Sequence, residues 1–354
     1  VNLLILAFSL MVVPALLGLW FARRALRRLS ARRLMPEEAY AATPFEMRFE
    51  IKNTRRIRGV FGATLEDRIE PATPGIDATL PLPTIAAGTA FRGGYRLTLP
   101  ARGRYRFGPI SLRSRFPFGI FEWKKTTPGT EELLVFPAMG TLTPTWRDRF
   151  GRALEASRRP HPFAEHSQDE VHGLREYRQG DNPRHIHWRT TARRGTPVVK
   201  EFETLSARDA VLLVDLFLGK KPTAKARDAL ERGLRFAATF TAEWCVRSRG
   251  NLVVAVAGPT ARTVHGPANA RLLRETLRIL AQAEPTAEEH WRTALRSIGP
   301  NQCVNAQVVA IAARPLPDFE AAFRERFGRV RALECLVLDA SDPEIERHYI
   351  DAKL

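Results

Sequence analysis

A chain of 354 residues with a hydrophobic share of 44% has room for two domains with ordinary cores and an anchoring segment. Its three cysteines, Cys245, Cys303 and Cys335, are too few and too scattered for a disulfide framework or a zinc site, and they suit a reducing compartment. The formal net charge of +17 rests mostly on arginine; it reads as composition bias with lipid proximity, and nucleic-acid binding is the less favoured reading.

Residues 1–22 are apolar apart from Asn2 and Ser9. As a helix rising ~1.5 Å per residue they would span about 30 Å, the hydrocarbon thickness of a bilayer. Trp20 falls where an interfacial aromatic would sit, and Arg23, Arg24, Arg27, Arg28, Arg32 and Arg33 follow. A cleaved signal peptide would carry its positive charge before the apolar run. The pattern predicts a transmembrane helix at 1–22, a basic juxtamembrane segment at 23–40, and a chain held at the cell membrane with its bulk in the cytoplasm.

Over 41–140 the hydrophobic period becomes two. Phe45, Met47, Phe49 and Ile51 alternate with Glu46, Arg48 and Glu50, and Tyr95, Leu97 and Leu99 repeat the pattern. Glycine and proline recur at turn-like intervals, which predicts a small β-sandwich. A polar connector occupies 141–207. Within it, 173–200 is dense in Arg, His, Tyr, Trp and Asp. Asp181 or Asn182 can cap a helix, Pro183 suits its first turn, Gly195 suits its C-terminal cap, and Pro197 cannot continue it. One helix is predicted over 183–194, with Arg184, His187, Trp188 and Thr191 on a common face, followed by a strand through Val198, Val199 and Phe202.

From 208 to 354 the pattern is α/β. Strands are predicted at 211–214, 252–257, 262–264, 304–311 and 333–339. Helices are predicted at 225–246, 268–283, 288–297 and 318–327. Continuous apolar strands alternating with helices argue for a doubly wound parallel sheet.

Chemistry-bearing motifs are sparse. Neither G-x-S-x-G, H-E-x-x-H nor a G-x-x-x-x-G-K-[ST] phosphate loop occurs. His161, His166, His172, His185 and His187 cluster in the connector, but no cysteine accompanies them and His185 and His187 would point apart on a helix. The expectation is no catalytic residue, no metal and no cofactor. An enzyme using the histidine-rich connector and a charge-driven nucleic-acid binder are the alternatives.

The 173–200 stretch resembles the signature of the bacterial family called domain of unknown function 58. That signature reads G-x-R-x-Y-x-x-G-D-x-x-R-x-I-x-W followed by Ala-Arg. Gly173, Arg175, Tyr177, Gly180, Asp181, Arg184, Ile186, Trp188, Ala192 and Arg193 fit it position by position. The resemblance implies two membrane helices near the N-terminus, with 1–22 the second, and a von Willebrand factor A-like α/β domain after the signature. Domains of that type often bind a divalent metal through Asp-x-Ser-x-Ser. Here the stretch is Asp215-Leu216-Phe217-Leu218-Gly219, so only Asp215 of that ligand set is present. The resemblance further implies a non-enzymatic adaptor or assembly factor, with a MoxR-type AAA+ ATPase and a transglutaminase-like membrane protein as partners. The signature residues have two readings. In one, Arg175, Asp181 and Arg184 form buried ion pairs that lock the connector, and Tyr177 and Trp188 supply apolar area. In the other, part of the set, including Arg184, His187, Trp188 and Arg193, docks a partner.

Overall fold

The computed structural model describes residues 2–70, 78–116, 119, 122–146, 171–178, 183–202, 209–248, 250–300, 306–328 and 334–351. It opens with helix α1 (Asn2–Arg27). Among the described residues no helix is long and apolar enough to cross a membrane. That corrects the expected transmembrane helix at 1–22, and with it the membrane localisation and the cytoplasmic orientation drawn from its arginines. The helix does not end where a membrane boundary was placed. It carries Pro14 inside it, runs on to Arg27, and builds its last turn into the next domain. Leu26 is fully buried there. A helix C-terminus leaves carbonyls without intrahelical partners, and neighbouring cations take them. Arg55 donates to Arg24 O, and Lys125 Nζ donates to Arg27 O (3.2 Å) and Leu29 O (2.6 Å).

Arginines expected in a separate basic segment thus belong to a helix end and a strand. Strand β1 (Leu29–Leu34) alternates strictly, with Leu29, Ala31 and Arg33 inward. It pairs antiparallel with β3 (Phe45–Asn53), which pairs with β7 (Ala90–Leu97). A second antiparallel sheet has the order β10 (Trp123–Thr127), β9 (Ile110–Ser114), β4 (Ala63–Asp67), β6 (Ala78–Pro81). A third runs β2 (Ala39–Tyr40), β11 (Glu131–Phe136), β8 (Gly103–Phe107), β5 (Ile69–Glu70), with β2 parallel to β11. Met47, Phe49, Ile51, Leu65, Phe107 and Leu112 lie in the one core shared by these sheets.

After β12 (Thr141–Leu142) come the paired strands β13 (Val171–Glu176) and β14 (Val198–Phe202), with a short helix α2 (Trp188–Arg194) between them. The α/β domain follows: β15 (Ala210–Asp215), α3 (Ala224–Arg247), β16 (Asn251–Ala257), β17 (Arg262–Pro267), α4 (Ala270–Ala281), α5 (Trp291–Ser297), β18 (Gln307–Ala312), α6 (Phe319–Phe327), β19 (Glu334–Asp339) and β20 (Tyr349–Ile350). The sheet order is β17-β16-β15-β18-β19. It is mixed rather than wholly parallel, because β17 returns antiparallel beside β16. Leu212 and Val214 pack with α3 and α4 on one face, and Val211 and Leu213 pack with α5 and α6 on the other. Every residue of β15 is buried, as a strand covered on both faces requires.

The two domains are tied by polar contacts of buried or half-buried groups. Arg102, in the turn before β8, donates to Leu280 O (2.9 Å) and Ala283 O at the end of α4 and pairs with Glu231 of α3. Gly140 N donates to Thr239 Oγ1 (2.9 Å), and β12 pairs with β20 near the chain end.

Candidate functional site

The signature forms a small platform on the β13–β14 pair. Glu176 lies opposite Val198 and Arg175 opposite Val199. Tyr177 N donates to Pro197 O (2.9 Å), which closes the mouth of the intervening segment. The single helix expected over 183–194 is split. Pro183–His185 forms one 3₁₀ turn, and α2 begins only at Trp188. The break has a local cause. Ile186 bridges to Val199, and His187 N donates to Val198 O (2.8 Å), so β14 draws these residues out of helical geometry. His187 then acts as the N-cap: its Nδ1 accepts from Thr190 N (3.2 Å). Thr191 Oγ1 accepts from Val198 N (3.0 Å). Gly195 ends the helix in the left-handed region at φ 73°, its N–H returning to Thr191 O (2.9 Å), so the C-cap lies where glycine permits it.

The platform stands on buried Val198 and Val199, whereas no residue of α2 is buried. Trp188 is 68% exposed and Tyr177 37% exposed. Arg193 is exposed in the last turn, where a cation complements the helix dipole. The single helix that was to carry Arg184, His187, Trp188 and Thr191 on one face is interrupted, because the 3₁₀ turn and α2 are separate elements. Gly180 and Asp181 lie outside the described residues, and so do the ion pairs expected of Arg175, Asp181 and Arg184.

A second constellation sits at the carboxyl ends of β15 and β18, where the strand order changes direction from β15 and a crevice opens in sheets of this kind. Asp215, the last residue of β15, is 1% exposed. Its Oδ1 accepts from Phe217 N (3.4 Å), and its Oδ2 has no hydrogen-bond partner among the described residues. Arg314, just past β18, brings Nη2 to 3.8 Å from Asp215 Oδ2 and 2.7 Å from Glu289 Oε1. Arg314 Nη2 makes no hydrogen bond in either contact, and 3.8 Å is beyond hydrogen-bond reach, so both are charge contacts. The guanidinium lies 4.6 Å from the centroid of the Phe217 ring. Burial pushes the Asp215 carboxyl up to about 6; the Phe217 N–H and then Arg314 pull against that shift, and Glu289 adds to it.

Phe217 is held by a parallel bridge to Thr286, and Leu218 N and Gly219 N donate to Thr286 O (2.9 and 3.2 Å). An adjoining cavity of about 710 Å³ is bordered by Leu216, Gly258, Thr260, Thr286, Glu288 and His290. With Arg314 in place the donor set does not fit a divalent ion. Phe217 and Gly219 bring no side-chain oxygen to the positions of the Asp-x-Ser-x-Ser pattern, and a guanidinium occupies the space beside Asp215. Arg314 and Glu289 were not singled out from sequence. The available signal was position: Arg314 follows the buried run 307–312, at the same strand end as Asp215.

Comparison with known proteins decides one point. Residues 173–348 match the model of the family described as Protein of unknown function DUF58. The match covers the signature and the α/β domain, and it supports the DUF58 resemblance carried by Gly173 to Arg193. No curated protein matches the chain. Solved structures resemble only parts of it. A β-glucosidase from Listeria innocua with bound glucose is 14% identical over 28% of this chain and 16% of its own, at a TM-score of 0.17. A superoxide reductase (neelaredoxin) from Ignicoccus hospitalis is 15% identical over 30% of this chain and 79% of its own, at 0.18. The sporulation control protein Spo0M from Bacillus subtilis is 10% identical over 42% of this chain and 58% of its own, at 0.18. The chain thus spans under a fifth of the β-glucosidase, and likenesses this weak do not bear on its function.

Proposed function

We propose that this DUF58-containing chain is a non-enzymatic adaptor or assembly factor that docks a protein partner through the platform bearing Tyr177, Trp188 and Arg193. The observation that carries the reading is Trp188: a tryptophan 68% exposed on a helix with no buried residue, beside a two-strand base with Val198 and Val199 buried. Tryptophan, tyrosine and arginine dominate the anchoring residues of protein interfaces, where a large apolar surface is matched with directed polar contacts. His187 supports the reading by capping α2 and so holding Trp188 in place.

The partner implied by the DUF58 resemblance is a MoxR-type AAA+ ATPase, with a transglutaminase-like membrane protein as a second. The α/β domain reads as von Willebrand factor A-like, supported by Asp215 at the end of its first, central strand and by helices on both sheet faces.

The test is Trp188→Ala in the full chain. The melting temperature should stay at the wild-type value, and capture of the MoxR-type ATPase should weaken by about 2 kcal/mol or more. Unchanged capture, or an unfolded variant, would place the docking surface elsewhere.

A further inference from the structure

We propose that Arg314 is a built-in cation that takes the place of a divalent metal ion at the carboxyl ends of β15 and β18, seated on the ring of Phe217 between Asp215 and Glu289. Three observations converge on it. Asp215 is buried at 1% exposure with Oδ2 lacking any hydrogen bond, so its charge needs a neighbouring cation. Arg314 supplies one at 3.8 Å and reaches Glu289 at 2.7 Å, so a single guanidinium faces two carboxylates, as a divalent ion would. Phe217 stands where a metal site of the Asp-x-Ser-x-Ser kind needs a hydroxyl, and its ring face lies 4.6 Å from the guanidinium carbon. A ring in that place removes a metal ligand and creates a cation seat at once. Guanidinium keeps its charge at every physiological pH and is weakly hydrated, which suits a half-buried fixed cation better than an ammonium would. The Arg314 side chain is 32% exposed, but its Nε and Nη2 and the Asp215 Oδ2 they approach are buried, so the cation is seated inside the crevice.

The consequence is a crevice that is charge-neutralised without metal. Its surface at the strand ends is set by Arg314 and Glu289 and does not respond to Mg²⁺. Removing the guanidinium should leave a vacancy lined by two carboxylates, able to accept a small cation.

The experiment follows the melting temperature of the full chain with and without about 5 mM MgCl₂, MnCl₂ or methylguanidinium chloride, since a ligand that binds only the native state raises it. The wild-type protein should not respond to Mg²⁺ or Mn²⁺. Arg314→Ala should melt several degrees lower and recover part of the loss with methylguanidinium or a divalent ion, and Asp215→Asn added to it should abolish that recovery. If Arg314→Ala does not fold, the double variant Asp215→Asn/Arg314→Met should fold, because it removes the charge together with its counter-cation. A wild-type shift with Mg²⁺ that Asp215→Asn abolishes would overturn the proposal. So would a folded Arg314→Ala that melts like wild type or that no cation rescues, or a double variant no more stable than the single one. Trp188→Ala should leave all these readouts unchanged, so the docking role of the platform and the cation role of Arg314 fail separately.

Discussion

Among the described residues two buried carboxylates, Asp67 and Asp215, meet a guanidinium, and the two pairs are built to opposite standards. In the β-domain, Arg33 and Asp67 have side chains 1% and 0% exposed. Arg33 donates to both Asp67 oxygens, to Glu131 Oε2 (2.8 Å) and to Gly108 O (3.0 Å), and Tyr95 Oη donates to Asp67 Oδ2 (2.7 Å). The guanidinium also lies over the rings of Phe49 and Phe107. Burial, reinforced by Asp67, raises the Tyr95 phenol far above its usual range, so it stays a donor. In the α/β domain, Arg314 approaches Asp215 without a hydrogen bond and remains partly open to water. A fully satisfied buried pair holds one arrangement and contributes order. A half-satisfied pair at a strand end leaves donors and a carboxylate oxygen for something else, and such departures from complete satisfaction collect at functional sites.

The comparison breaks first at Asp67. Asp67→Ala removes the buried partner of Arg33 and leaves it only Glu131, whose side chain is 40% exposed, which should destabilise the protein by about 3–5 kcal/mol in urea unfolding, as breaking a buried pair does. A loss below about 1 kcal/mol would mean that the pair is not a structural lock, whatever its hydrogen bonds.

The second measurement is stability against pH, and it sharpens the contrast through its sign. The folded Asp215 carboxyl is raised from 3.8 to about 6, so the native state binds this proton more tightly than the unfolded chain does. Its contribution is therefore most favourable below pH ~4, falls as pH rises through about 6, and is flat above, for a total on the order of 3 kcal/mol. That is opposite to a carboxylate held low by an ion pair. Subtracting the Asp215→Asn profile from the wild-type profile should isolate this descending limb. A difference that instead rises with pH would show that Arg314 outweighs burial.

Next in size is Arg102→Ala, which tests whether satisfied polar contacts also hold the domains together. Arg102 is 8% exposed on its side chain and serves the last carbonyls of α4 from the other domain. Losing it should cost about 1–3 kcal/mol and split one calorimetric transition into two. A single, unshifted transition would show that the Gly140–Thr239 bond and the β12–β20 pairing suffice. The smallest stability effect belongs to Trp188→Ala, within about 0.5 kcal/mol by denaturant unfolding, as for a surface residue. A loss of ~3 kcal/mol or more would make Trp188 core and refute its exposed role.

Much of the fold was legible. The alternation Phe45–Met47–Phe49–Ile51 became β3 with Met47, Phe49 and Ile51 fully buried, because a period of two has one reading on a half-buried sheet. The apolar run of β15 likewise yielded a buried strand, and of Ala226, Leu230, Leu234, Ala237 and Thr241, whose helical spacing was read as the buried side of α3, all but the half-buried Ala226 are buried. Arg33 was misread because charge alone places arginine outside; its partners Asp67, Glu131 and Tyr95 arrive from three other parts of the chain. The helix over 183–194 was misread because local caps were weighed without β14, whose backbone takes the His187 N–H. Arg314 was passed over because its one local signal, its place just after the run 307–312, gains meaning only once β18 is laid beside β15.

By itself, then, the sequence determined the periodicities, the strand–helix alternation after residue 208, the signature that matches DUF58, and the loss of oxygen ligands at Phe217 and Gly219. These are properties of neighbouring residues, and local sterics and hydrophobic period dictate them. Which charges are buried, where the signature helix begins, and that a guanidinium rather than an oxygen set faces Asp215 were decided by tertiary structure. Each depends on groups far apart in sequence meeting in a medium of low dielectric, where a charge keeps its place only beside the partner that the fold delivers.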